Sequence, residues 1–106
     1  MLVTTANDLP GLRITRTIGV VRGITVRSRN VVSDALGGLQ SLVGGRVGAY
    51  VKLAEAAREE AYEHLLEQGR AAGADAIIAM RYDANEIMPG ITEVLCYGTA
   101  VKTEVG

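Results

Sequence analysis

Between Leu12 and Ser28 the chain reads LRITRTIGVVRGITVRS, and its apolar residues recur at every second position. Leu12, Ile14, Ile18, Val20, Ile24 and Val26 fall on one face of an extended strand, interrupted by Arg16 and Arg22. Gly19 and Gly23 interrupt the other face. A glycine inside such alternation marks a bulge, a bend or a close backbone approach, so the strand is expected to turn a corner, with its arginines near a sheet edge. Before it, MLVTT reads as a short strand and NDLPG as a turn.

The period then changes from two to about four. In NVVSDALGGLQSLVGG, Asn30 is available as an N-cap and Val32, Ala35, Leu36, Leu39, Leu42 and Val43 have helical spacing. Gly37 and Gly38 oppose that helix by about 1 kcal/mol each relative to alanine, so packing must stabilise it. A second helix is expected from about Ala49 to Ala72. Its inner face is Leu53, Ala57, Ala61 and Leu65, flanked by Tyr50, Ala54 and Gln68, with Gly73 as the C-terminal cap. The small side chains of that stripe suit a close approach to a sheet. Alternation returns in ADAIIAMRYDANEI and ITEVLCYGTAVKTEV, joined at MPG, where Pro89 and Gly90 fit the centre of a type II turn. The order strand, strand, helix, helix, strand, strand predicts one α+β domain over residues 1–106. In it an antiparallel sheet, made of the N-terminal strands and the C-terminal hairpin, is covered by two helices.

Composition narrows how such a core is built. Phe and Trp are absent and only four Tyr are present, so aliphatic residues carry nearly all of it. Thirteen glycines and many alanines let backbones approach closely, which suits burial of apolar surface by other copies of the chain. Net charge is −1 and the isoelectric point about 5.8, which gives no basic field for nucleic acid or an anionic membrane. The charge is unevenly divided. Through Tyr50 six arginines face Asp8 and Asp34, a balance of +4, and from Val51 onward five basic residues face ten acidic ones, a balance of −5. Complementary halves suit docking within a subunit or between identical subunits, although two solvated faces would read the same way. No signal-like or membrane-length apolar run is visible, so a cytoplasmic protein is expected.

Candidate chemistry is sparse. GGRVGAY differs from a Walker A loop because Ala49, not Lys, follows Gly48. Backbone amides at the second helix start, with Arg46 beside them, could hold a small anion through Gly45, Arg46, Gly48 and Tyr50. The structural alternative is that the glycines end one helix and pack the next, while Arg46 pairs with an acid. His64 and Cys96 are the one imidazole and the one thiol, so a single chain cannot build a usual zinc site. Symmetry-repeated copies of either could hold a divalent or soft heavy metal, which is the cofactor left open. A strand cysteine is otherwise a small buried hydrophobe. No catalytic set is visible, and with one histidine the general acid–base inventory reduces to carboxylate, Tyr, Lys and Arg.

Six segments, VTT, IGVVRGITVRS, VGGRVGAY, REEAYEHL, GADAIIAMRYD and TEVLCYGTAV, in this order resemble the YbjQ-like proteins of bacteria over almost the whole chain. The resemblance implies a small α+β subunit that assembles into a ring, commonly a homopentamer. Heavy-metal binding is the label attached to that family, whose functional residues are not established. The expected protein is thus a homo-oligomeric binding or scaffold subunit without catalysis, with no nucleic-acid or membrane partner. Arg46, Ala57 and Ala61 are its expected assembly residues. Metal binding through Cys96 or His64, and a small-anion sensor or enzyme at Arg46, are the alternatives.

Overall fold

The computed structural model describes residues 1–28 and 46–106. Its elements are β1 (Leu2–Val3), β2 (Leu12–Ser28), α1 (Arg46–Ala71), β3 (Ala76–Met88) and β4 (Ile91–Val105). The strands form one sheet in the order β1-β3-β4-β2. β4 is its spine, pairing antiparallel with β2 from Leu12↔Val105 to Ser28↔Ile91 and antiparallel with β3 on its other side. The expected turn at Pro89–Gly90 closes the hairpin, with Gly90 at φ 80°.

One expectation needs correction. The sheet is not purely antiparallel, because β1 pairs parallel with β3 through Leu2↔Ala76 and Val3↔Ile77. After α1 the chain re-enters the sheet beside its own N-terminus and runs in the same direction as β1, the geometry that a helical crossover imposes. The cover of two helices is described only as one. The helix expected from Asn30 to Val43 lies outside the described residues, and α1 begins at Arg46 rather than Ala49.

The helix seats on the sheet through its small residues. Ala57, Ala61 and Leu65 are buried and Leu53 half-buried, as the spacing predicts, against Val21, Ile77, Val94, Cys96 and Ala100. Gly23 makes this close seat possible. A Cβ there would lie 2.8 Å from His64 Cβ, and nearer still to the Ala61 carbonyl oxygen and the Leu65 amide nitrogen. Gly73, at φ 78°, ends the helix: its amide donates to Arg70 O and the Ala74 amide to Gly69 O, both at 3.0 Å.

β2 carries the irregularity its glycines foretell. Register slips occur between Ile14 and Arg16 and between Thr17 and Gly19, the latter at φ 146°. Ile18 consequently packs with the helix-side core, while Ile14 packs with Leu9, Ala76 and Val101 under the N-terminal loop. From Val20 onward the face under α1 is Val21, Gly23 and Thr25. The apolar residues Val20, Ile24 and Val26 point away from it, at 75%, 40% and 49% exposure. The strand therefore turns Val21, Gly23 and Thr25 to the helix and leaves Val20, Ile24 and Val26 exposed on the other face.

Candidate functional site

Cys96 sits at the middle of β4 beneath α1 and is fully buried. Burial pushes its thiol above the ordinary value of 9.0, opposed by a hydrogen bond with Tyr82. A thiol held protonated at neutral pH is a poor nucleophile and a poor metal ligand. Tyr82 is shifted the same way: burial, then the neighbouring Cys96, pushes its phenol up to about 12. Arg58 lies over the Tyr82 ring, 5.1 Å from its centroid, and covers this pair from the helix side.

His64 lies elsewhere, on the α1 flank that overhangs β2. Its Nδ1 is 2.9 Å from Ile24 O, and against a carbonyl that nitrogen must donate, so the neutral ring presents Nε2 as an acceptor. One turn on, Gln68 Oε1 accepts from the Arg22 amide at 2.6 Å. Two helix side chains thus occupy outward-facing backbone groups at the middle of β2. On the neighbouring turn, Arg27 donates to Glu60 at 2.6 Å and to Thr25 Oγ1 at 2.7 Å. The hydrogen bonds from Arg27 and Thr25 hold the Glu60 carboxyl below the usual range. Glu59, further round the helix, is raised by its hydrogen bond with Glu63.

The sequence-derived candidates therefore do not converge. Cys96 and His64 occupy different layers. Among the described residues no group of three or more His, Cys, Asp and Glu side chains is placed to hold a metal ion. Gly45 lies outside the described residues, Arg46 opens α1, and Gly48 and Tyr50 are exposed in its first turns. Ala57 and Ala61 face the sheet. What sequence reasoning missed is a cleft of about 290 Å³ between α1 and the far end of the hairpin, lined by Arg27, Leu53, Ala57, Arg58, Thr92 and Val94. These residues come from β2, α1 and β4, and no local spacing announces their meeting.

Among the described residues one helix lies across a four-stranded mixed sheet with a buried thiol beneath it, which defines a small α+β fold. Known proteins place it further. Residues 1–104 match the family described as "Putative heavy-metal-binding". A UPF0145 protein of Chromobacterium violaceum is 59% identical over 103 residues, covering 97% of this chain and 88% of that protein. A second, from Burkholderia thailandensis, is 55% identical over 101 residues, covering 95% and 91%. The chain belongs to the YbjQ-like UPF0145 family, a bacterial family whose function is not established. A crystal structure of a DUF74-family protein of unknown function from Pediococcus pentosaceus superimposes with TM-score 0.65 over 98% of both chains. At 17% identity that likeness supports the fold alone. No helix among the described residues is long and apolar enough to cross a membrane.

Proposed function

We propose that the chain is a ring-forming homo-oligomeric binding or scaffold subunit without catalysis of its own, five copies being the number that the family resemblance implies. The observation that carries this reading is the apolar row of Val20, Ile24 and Val26 on β2, 75%, 40% and 49% exposed on the sheet face away from α1 among the described residues. Apolar side chains of that size, side by side on an edge strand, gain about 25 cal/mol for each Å² taken from water, and a second subunit supplies the cover. Native mass spectrometry of untagged protein tests it, since one spectrum gives the subunit number and any retained mass. A bare ring is expected, and a monomer at micromolar concentration refutes the reading.

The family description supports a second reading, a heavy metal bound where copies meet. His64 is the ligand of choice, because its Nδ1 bond to Ile24 O leaves Nε2 to coordinate, whereas the Cys96 thiol is buried and protonated. Calorimetric titration with zinc or copper should then show binding abolished in His64→Ala and retained in Cys96→Ser. Binding unchanged in both variants removes His64 and Cys96 from consideration.

A further inference from the structure

The two outer strands of the sheet end in edges of opposite character. On one side, β1 and the residues after it cover β3 only as far as Met80: Thr4 N donates to Ile77 O, Ala79 N to Ala6 O and Met80 N to Thr4 O. From Tyr82 to Met88, no described strand pairs with the outer side of β3. That stretch carries Asp83 and Glu86, with Glu93 beside it on β4, and ends in Ile87 and Met88 at 55% and 59% exposure. On the other side, β2 is covered at its middle by Gln68 and His64, which take up Arg22 N and Ile24 O. No described strand pairs with its outer side, and it carries Arg13, Arg16 and Arg22. Among the described residues, Arg13 alone of these six charged groups is in an ion pair, with Glu104.

The outer side of β3 beyond Met80 is an open template, whereas β2, with Arg22 N and Ile24 O already taken, offers its arginine side chains, and charge decides what each surface accepts. Two copies meeting β2 to β2 would bring arginines together, and two meeting β3 to β3 would bring carboxylates together, so both self-pairings repel. Unlike edges attract. Resting on the homo-oligomer reading above, we propose that the acidic outer edge of β3, from Tyr82 to Met88, docks against the basic outer edge of β2 in a second copy of this chain. Such a contact is head-to-tail: each copy keeps one free edge of each kind, and the assembly grows until rotation closes it into a ring. The 7-residue stretch spans roughly 23 Å, long enough to face both Arg16 and Arg22 along β2. The uncovered apolar residues of β2 lie beside it and are drawn into the same interface.

Charge reversal tests the surface separately from the oligomer. Arg16→Glu with Arg22→Glu reverses one edge, and Asp83→Arg with Glu86→Arg reverses the other; all four side chains are exposed. Each double variant should associate about tenfold more weakly or worse by native mass spectrometry and light scattering, and the fourfold variant should recover the assembly. An oligomeric wild type with both double variants unaffected overturns the edge proposal and leaves the homo-oligomer reading standing. Failure of the fourfold variant to recover, while folded by circular dichroism, also overturns the edge proposal, and a monomeric wild type overturns both. Should any variant unfold, a salt titration of the wild type decides: assembly should weaken between low and high salt, and indifference to salt overturns the proposal.

Discussion

Gly23→Ala is the sharpest probe of how α1 sits on the sheet. The added methyl would lie 2.8 Å from His64 Cβ, and closer to the Ala61 carbonyl oxygen and the Leu65 amide nitrogen, well inside van der Waals separation. Two of these neighbours are helix backbone and cannot rotate away, so α1 must lift by roughly 1 Å. A gap of that size forfeits a quarter to a half of the dispersion attraction along the seam where Ala57, Ala61 and Leu65 meet Val21 and Cys96. It also stretches the Arg22 amide to Gln68 and His64 to Ile24 O hydrogen bonds, now 2.6 and 2.9 Å. Overpacking costs about 1–3 kcal/mol, and the two bonds add about 1 kcal/mol each, giving a loss of roughly 3 kcal/mol or more. Against a total stability on the order of 5–15 kcal/mol this is a large shift in the urea midpoint at fixed protomer concentration. Gly19→Ala is the control: its Cβ meets nothing within 4 Å, so only the strain of φ 146° is felt. Stability of Gly23→Ala within about 1 kcal/mol of wild type would refute direct seating of the helix on β2.

Ala57→Glu places a carboxylate at a buried position facing the same seam, and should abolish the cooperative unfolding transition followed by far-UV circular dichroism. A well-folded Ala57→Glu protein would mean that the helix presents another face. The alkaline limb of stability should carry the signature of Tyr82. Its phenol titrates near 12 in the folded chain against 10.0 ordinarily, so the folded state holds the proton more tightly. That contribution is complete below pH 10 and is lost as pH rises toward 12, by roughly 2–3 kcal/mol, while the raised Cys96 thiol weakens the fold in the same direction from pH 9. Tyr82→Phe should flatten the limb above pH 10, and an unchanged slope in the variant argues against a buried phenol.

Several elements were readable from single residues. The i+4 stripe of Leu53, Ala57, Ala61 and Leu65 locates the buried side of α1, Gly73 its end, and Pro89–Gly90 the hairpin turn, because each is a local rule about spacing or φ. What period-two alternation cannot disclose is which face a helix covers. The larger side chains of β2 look like a core face, yet the alanine stripe of α1 requires the glycine side. An alanine face reaches van der Waals contact with a sheet only where the strand offers little Cβ bulk. The parallel pairing of β1 was equally hidden, since two residues have no pattern and their partner strand lies more than seventy residues away.

The candidate site was less legible for the same reason, as its geometry is made entirely between elements. Cys96 and His64 are the obvious residues in a sequence with one of each, and the fold separates them by burying the thiol beneath α1 while placing the imidazole over the β2 edge. Both are engaged in holding the structure, Cys96 as core against Tyr82 and His64 as donor to a strand carbonyl. The charges behave differently. The basic excess of the first half and the acidic excess of the second are partly consumed within the subunit, where Arg13 meets Glu104 and Arg27 meets Glu60. Of the charges outside those pairs, Arg16 and Arg22 lie on β2 and Asp83 and Glu86 on β3, on opposite sides of the central β4. Side chains held apart by β4 on the two sides of one sheet do not meet within a chain, so the proposed complementarity between them requires a second copy.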